Sequence, residues 1–268
     1  MGKKVTIRDV AQMAGVSVAT VSYVLNQKVG QKISDATKKK VLQISNLLGY
    51  KNSALVRSLI NDRSNNVVLF YHGSDNMLKK SLQLDFFERL AKGLHVIGRD
   101  LMIVPDSLKS HESLCDALVC FDTTQEFFHT IGDNNFVPLV GVDLYVNDPL
   151  FFQITPSMAR AKRVAESLGT SDYDVLYIPF SDPNMNKDVV SAFPLARPLG
   201  DVNDLLAYAK NSNRPVLAMG KPIYDIIRTF NGKVALFDPE PDEKVKKICE
   251  SIDRAVKKED AGLKSFEI

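Results

Sequence analysis

Apolar residues fall at helical spacing twice in quick succession near the start of the chain, with a break in phase between the two runs. Ile7, Val10, Ala11 and Ala14 form the first face, and Val21, Val24 and Leu25 form the second. Thr6 precedes the first run as a good N-cap, with Asp9 three residues on. Gly15 ends that run, because glycine takes a positive φ without steric penalty, and Ser17 is placed to cap the next helix. The stretch TIRDVAQMAGVSVATVSYVLN thus predicts two short helices crossing at a tight turn, a helix-turn-helix. An ordinary helical hairpin would not need this combination of small Ala11, turn Gly15 and apolar Val21.

After a polar loop over 27–33, Ser34 is positioned to cap a third helix whose Val41, Ile44 and Leu48 share one side, and Gly49 closes it. DRSNN, residues 62–66, reads as a linker. Beyond it the pattern changes to short apolar runs at 67–72, 101–105, 117–122, 137–143, 174–180, 189–193, 216–219 and 233–238, each expected as a strand. Amphipathic helices fit between them, most clearly at 85–98, 158–168, 202–210 and 243–257. Such alternation predicts parallel sheets covered by helices on both faces. The helix over 85–98 carries Phe86, Phe87, Leu90 and Leu94, expected mostly in the core, with a partner surface as the alternative use.

Composition narrows the class. A chain of 268 residues suits one small and one larger unit, and 45% hydrophobic with 25% charged residues is globular. No N-terminal apolar run and no uninterrupted span near the roughly 20 residues that cross a bilayer are present, so a cytoplasmic protein is expected. Cys115, Cys120 and Cys249 lack metal or redox spacing and are expected as buried thiols. No cofactor or metal is expected. His72, His95, His111 and His129 are scattered, and no nucleophile motif, phosphate loop or metalloprotease motif occurs, which argues against an enzyme. Net charge is only +2, but residues 1–64 hold eleven Lys/Arg against three acids, and the remainder is acidic overall. A basic head on an acidic body suits a phosphate-binding module joined to a domain with another task, and the Lys38-Lys39-Lys40 run either faces solvent or lies near phosphates.

Helix, turn and helix, followed by NQ and then ISDATKKKVLQISNLLGYKNSALVRSL, resemble the N-terminal headpiece of the lactose-repressor (LacI) family of bacterial transcription regulators. The resemblance implies an all-α three-helix DNA-binding headpiece over 1–51, a hinge helix and linker over 52–65, and an α/β two-lobed, periplasmic-binding-protein-like domain over 66–268. It implies that Val18 and Ala19 meet base edges while Ser17, Thr20, Ser22 and Asn26 position phosphates, with Thr6 at the head of the first helix also on the DNA side. Tyr23 stands where many relatives carry Arg, so the two-pronged grip on guanine is absent. The hinge would run over 53–61, with Ser53 able to cap it, Arg57 matching the family ending, and Leu59 matching the leucine that wedges between central base pairs. A pseudo-palindromic DNA operator, a homodimer and a small-molecule effector are the implied partners.

LDFFERLAKGLHVIGRDLMIV and VPLVGVDL resemble segments of the family's effector domain, yet this domain departs from the pattern. The tract SDPNMNKDVVSAF reads as too short for the family's usual helix, with Lys187 in place of a ligand-gripping arginine. Gly220-Lys221 replaces an Asn-Asp pair. Two readings stay open. Either an anionic, phosphorylated or sugar-like effector binds near Asp122, Asp143, Lys187, Lys221 and Asp238, or the domain is effector-independent and serves dimerisation. A strand-end Asp can equally cap the following helix. A cytoplasmic small-molecule-binding module is the alternative from another class.

Overall fold

The computed structural model describes residues 5–25, 33–48, 50, 64–108, 115–135, 137–238, 241–257 and 262–268. Asn26 and the expected hinge, with Ser53, Arg57 and Leu59, lie outside the described residues. Three helices form the N-terminal unit: α1 (Ile7–Ala14), α2 (Val18–Leu25) and α3 (Asp35–Leu47). Their apolar faces meet in one small core of Val10, Ala11, Ala14, Val21, Val24, Val41 and Ile44. The unit touches the rest of the chain where the Gln43 amide of α3 donates to Asp148 at 3.0 Å.

The remainder folds as two lobes. The first contains β1 (Asn66–Tyr71), α4 (Met77–Val96), β2 (Asp100–Pro105), β3 (Ala117–Phe121), α5 (Gln125–Asn134), β4 (Leu139–Val142) and β5 (Phe152–Thr155). The second contains α6 (Met158–Glu166), β6 (Asp174–Tyr177), α7 (Pro183–Ala192), β7 (Arg197–Pro198), α8 (Val202–Asn211), β8 (Val216–Met219), α9 (Lys221–Ile227) and β9 (Val234–Phe237). The chain then returns to the first lobe through α10 (Asp242–Lys257) and β10 (Ser265–Glu267). Strand orders are β10-β5-β4-β3-β1-β2 and β7-β6-β8-β9, with every described pairing parallel. Parallel sheets need both faces covered, and helices supply the cover. In the first lobe, Phe86, Leu90 and Leu94 of α4 join Val245, Ile248 and Ile252 of α10 on one face. Phe128 of α5 fills the other with Leu139 and Phe151.

Three departures from the sequence expectation bear on function. Residues 189–193, expected as a strand, belong mostly to α7, and the tract thought too short for a helix supplies one of ten residues. Asp182 caps it through the Asn184 N–H, Pro183 suits its first turn, and Val189 and Phe193 fall four apart on its buried face. Strands β5, β7 and β10 carried too little apolar pattern to be expected. Finally, α4 starts at Met77 rather than near 85, because the Asn76 side chain accepts from Leu78 and Lys79 N–H and so caps it earlier. Leu78 and Leu82 in that added stretch pack into the core of the second lobe, while Phe86 onward packs into the first. One helix therefore spans both lobes.

Candidate nucleic-acid interface and inter-lobe cleft

The N-terminal helices are fixed by local hydrogen bonds. Thr6 donates both its N–H and its hydroxyl to the Asp9 carboxylate, each at 2.7 Å. Gly15 adopts φ 67°, and the following Val16 N–H returns to the Ala11 carbonyl at 3.1 Å, turning the chain out of α1. Ser17 Oγ accepts the Thr20 N–H at 3.0 Å and shares a 2.9 Å hydrogen bond with the Thr20 hydroxyl. Ser34 does the same for α3 through Thr37 N–H at 3.2 Å. With Val21 and Val24 turned inward, the opposite face of α2 presents Ser17, Val18 and Ala19 as exposed residues, while Thr20, Ser22 and Tyr23 are half-buried beside them. Thr6 is exposed at the head of α1. Lys38 pairs with Asp35 at 2.9 Å across the first turn of α3. The result is a short apolar-and-hydroxyl ridge on a small basic unit.

The second place where functional residues were expected is the cleft between the lobes. Here the structure separates the five candidates. Asp122 and Asp143 line a cavity of about 40 Å³ at the carboxyl ends of β3 and β4, together with Lys79, Gln83, Tyr177, Phe180 and Met219. Lys187, Lys221 and Asp238 do not line it. Lys187 reaches only Asn184, Lys221 pairs with Asp225 at 2.5 Å, and Asp238 lies 3.6 Å from Arg89. Nor do the two lining aspartates cap a helix. Both adopt a positive φ, 48° and 56°, and Thr124 caps α5 instead.

Each lining carboxylate is met by a lysine that sequence reasoning missed. Lys79 Nζ lies 2.6 Å from Asp122 Oδ2, with the two side chains only 11% and 7% exposed. Lys244 of α10 lies 2.5 Å from Asp143 Oδ2, at 0% and 1% exposure, and its ammonium sits 5.9 Å from the centres of the Phe86 and Phe121 rings. Burial raises the Asp122 carboxyl above its ordinary value, and the Lys79 ammonium and the Ser181 N–H pull it back. A cavity of about 40 Å³ has room for a few waters, at about 10–15 Å³ of such space each. Pockets that enclose a small organic ligand are nearer 300–1,000 Å³.

Further bonds cross the cleft. The Ser181 N–H donates to Asp122 Oδ1 at 2.7 Å, and the Tyr145 N–H to Asp182 Oδ2 at 2.7 Å. The Tyr145 hydroxyl donates to Asp188, and burial with that acceptor raises the phenol above its ordinary pKa. No group of three or more His, Cys, Asp or Glu side chains among the described residues is placed to hold a metal, and no described helix is long and apolar enough to cross a membrane. Of the cysteines, Cys120 and Cys249 are buried and Cys115 is only half-buried. Burial pushes Cys115 and Cys249 up to about 11.

A helix-turn-helix unit followed by a two-lobed parallel α/β domain defines the class. Residues 6–53, which hold the helix-turn-helix, match the family described as bacterial regulatory proteins, lacI family. The chain is 30% identical over 155 residues to the probable HTH-type transcriptional repressor ExuR of Bacillus subtilis (strain 168), covering 54% of this chain and 44% of that protein. It is 29% identical over 175 residues to the ribose operon repressor of Halalkalibacterium halodurans, covering 61% and 50%. The headpiece alone is 52% identical over 54 residues to the PurR repressor of Photobacterium profundum, covering 20% of this chain and 16% of that one. The alignments with ExuR and the ribose operon repressor thus span about half the length of each relative. In fold, the chain is similar to the Lac repressor dimer bound to operator and the anti-inducer ONPF, at TM-score 0.53 and 13% identity over 99% of this chain and 96% of that one.

Proposed function

We propose that this chain is a sequence-specific DNA-binding transcriptional regulator, a repressor, that binds a pseudo-palindromic operator as a homodimer. The observation that carries the reading is the exposed Ser17-Val18-Ala19 ridge of α2, held outward by the Val21 and Val24 core of a capped helix-turn-helix. Val18 and Ala19 suit thymine methyl groups, Ser17, Thr20 and Ser22 suit phosphate oxygens, and Tyr23 replaces a guanine-reading fork with a single phenol. Thr6, Asn26, Ser53, Arg57 and Leu59 complete the DNA side, with the division at 52–65 separating reader from body. The named relatives are repressors, which supports the same reading. The protein works in the cytoplasm and is not an enzyme.

Dimerisation uses the first lobe. Leu84 on the outer face of α4 is 59% exposed, and Met102 and Ile103 on the edge strand β2 are 41% and 42% exposed, an apolar edge that solvent alone leaves unpaired. For the larger domain, the effector-independent reading is favoured by one observation: the small cavity at Asp122 and Asp143 is ringed by the chain's own ion pairs. Genomic footprinting tests the whole proposal. One protected pseudo-palindrome, bound by a dimer with affinity falling by about 10³-fold between low and physiological salt, is the expected result. Salt-insensitive binding, or no site above non-specific background, overturns it.

A further inference from the structure

The amino-terminal half of α4 has an unusual job for a helix of the first lobe. Its cap, Asn76, donates through Nδ2 to the Leu199 carbonyl of the second lobe at 3.0 Å. Leu78 and Leu82 pack into the second lobe's core. Between them Lys79 spends all three ammonium donors: on Asp122 Oδ2 of the first lobe at 2.6 Å, and on the Pro179 carbonyl at 3.1 Å and Ser181 Oγ at 3.0 Å of the second. The remaining Asp122 oxygen takes the Ser181 N–H at 2.7 Å. A surface lysine meets one partner at a time and loses little when it is cut. This one is 9% exposed and saturated by groups from both lobes.

An independent feature points the same way. Gly220, at the turn from β8 into α9, holds φ 120°, and a Cβ there would lie 3.2 and 3.3 Å from the Leu82 methyls. The bare backbone at that turn lets α4 settle onto the second lobe.

We infer that Lys79 is a built-in ligand of the inter-lobe cleft: its primary ammonium, rather than a bound small molecule, bridges the lobes and keeps them closed. The bearing of this on regulation rests on the DNA-binding reading above: a cleft bridged by the chain's own ammonium suits a regulator that works without a small-molecule effector. The site it fills is specific in chemistry. It takes one primary ammonium on a narrow aliphatic stem, with a carboxylate, a carbonyl and a hydroxyl converging on it.

The full chain carrying Lys79→Ala tests this by chemical rescue. The substitution removes three methylenes and the ammonium, which is the shape of propylammonium. Removing one partner of a buried pair predicts a fall in Tm of about 6–20 °C for a body of this size. Propylammonium chloride is expected to restore much of that loss in Lys79→Ala, sodium chloride at equal ionic strength is not, and the wild type is expected to respond to neither. Lys79→Met, which keeps the stem and removes the charge, is expected to increase the radius of gyration in solution scattering as the lobes part. It decides the matter alone if Lys79→Ala does not fold. Unchanged Tm and radius in both variants overturns the inference, as does a loss of Tm that propylammonium restores no better than sodium chloride, or a neutral hexose that stabilises the wild type. None of these readouts uses DNA, so a failed rescue and a failed footprint are separate results.

Discussion

The headpiece and the inter-lobe cleft carry their candidate functional residues in opposite ways. In the headpiece, Ser17, Val18 and Ala19 face solvent, and the unit is held together by Val10, Val21, Val24 and Val41 behind them. In the cleft, Asp122, Asp143, Lys79 and Lys244 are all buried and paired, Asp122 with Lys79 and Asp143 with Lys244, and among the described residues only Asp143 Oδ1 of the two carboxylates is left without a hydrogen-bond partner. An exposed ridge of small apolar and hydroxyl side chains adds little to folding and stays available to a partner. A buried charge must be satisfied inside the protein, or it costs several kcal/mol. The difference teaches where each region's substitutions should be read: on DNA for the headpiece, on stability for the cleft.

The largest expected effect breaks the cleft side of this contrast. Lys244→Ala leaves Asp143 buried without its cation, a loss of about 3–5 kcal/mol by denaturant titration. The double variant Lys244→Met, Asp143→Leu is expected to recover most of that loss, because replacing a buried pair with apolar groups of similar size is often neutral. A single-variant loss under about 1 kcal/mol would mean that water reaches the pair and that the cleft is not sealed. Next in size is Gly220→Ala, expected to cost about 1–3 kcal/mol through backbone strain and the crowding of Leu82. Adding Leu82→Ala relieves only the crowding, so a double-mutant cycle separates the two contributions.

How far the sequence could be read divides along the same line. In the headpiece every cap and turn bond that sets the helix ends lies within five residues of its partner: Thr6 with Asp9, Gly15 and Val16 with Gln12 and Ala11, Ser17 with Thr20. Pattern and cap chemistry therefore disclosed it. The cleft is assembled from distant pairs, with Asp143 and Lys244 101 positions apart and Asp122 and Ser181 59 apart. Lys244, inside DEKVKK, and Lys79 and Gln83, inside LKKSLQL, look like solvated helix faces until the fold buries them. The Asn76 cap was the local signal that would have started α4 earlier. For α7, the apolar Val189-Val190 pair suggested a strand, whereas Asp182 and Pro183 ahead of it were the stronger mark of a helix start. Lys187 and Lys221, nominated because they stand where the family carries ligand-gripping residues, lie on helix surfaces instead.

A smaller effect sharpens the headpiece side. Ser17→Ala removes the N-cap of α2 and is expected to cost about 1 kcal/mol. Because the headpiece has a core of its own, the loss should be confined to it. Hydrogen exchange is expected to speed up over Val18–Leu25 and stay unchanged in β3 and β4. Faster exchange in those strands as well would show that reader and body unfold as one unit.

The smallest effect belongs to Lys187 and Lys221, the two lysines that position in the family pattern had nominated for the cleft. Lys187→Ala removes a contact to Asn184, three residues away, and Lys221→Ala an ion pair with Asp225 one helical turn on, its side chain half exposed. Such pairs are worth well under about 1 kcal/mol, since water and salt screen them and holding two long side chains together costs entropy. Each variant is therefore expected within about 0.5 kcal/mol of wild type in denaturant titration, with operator affinity unchanged. The comparison that matters is with Lys79 and Lys244: four lysines of the same domain, two walled in and two on the surface. If Lys187→Ala or Lys221→Ala destabilised the chain as much as Lys244→Ala, burial would not be what gives the cleft charges their weight.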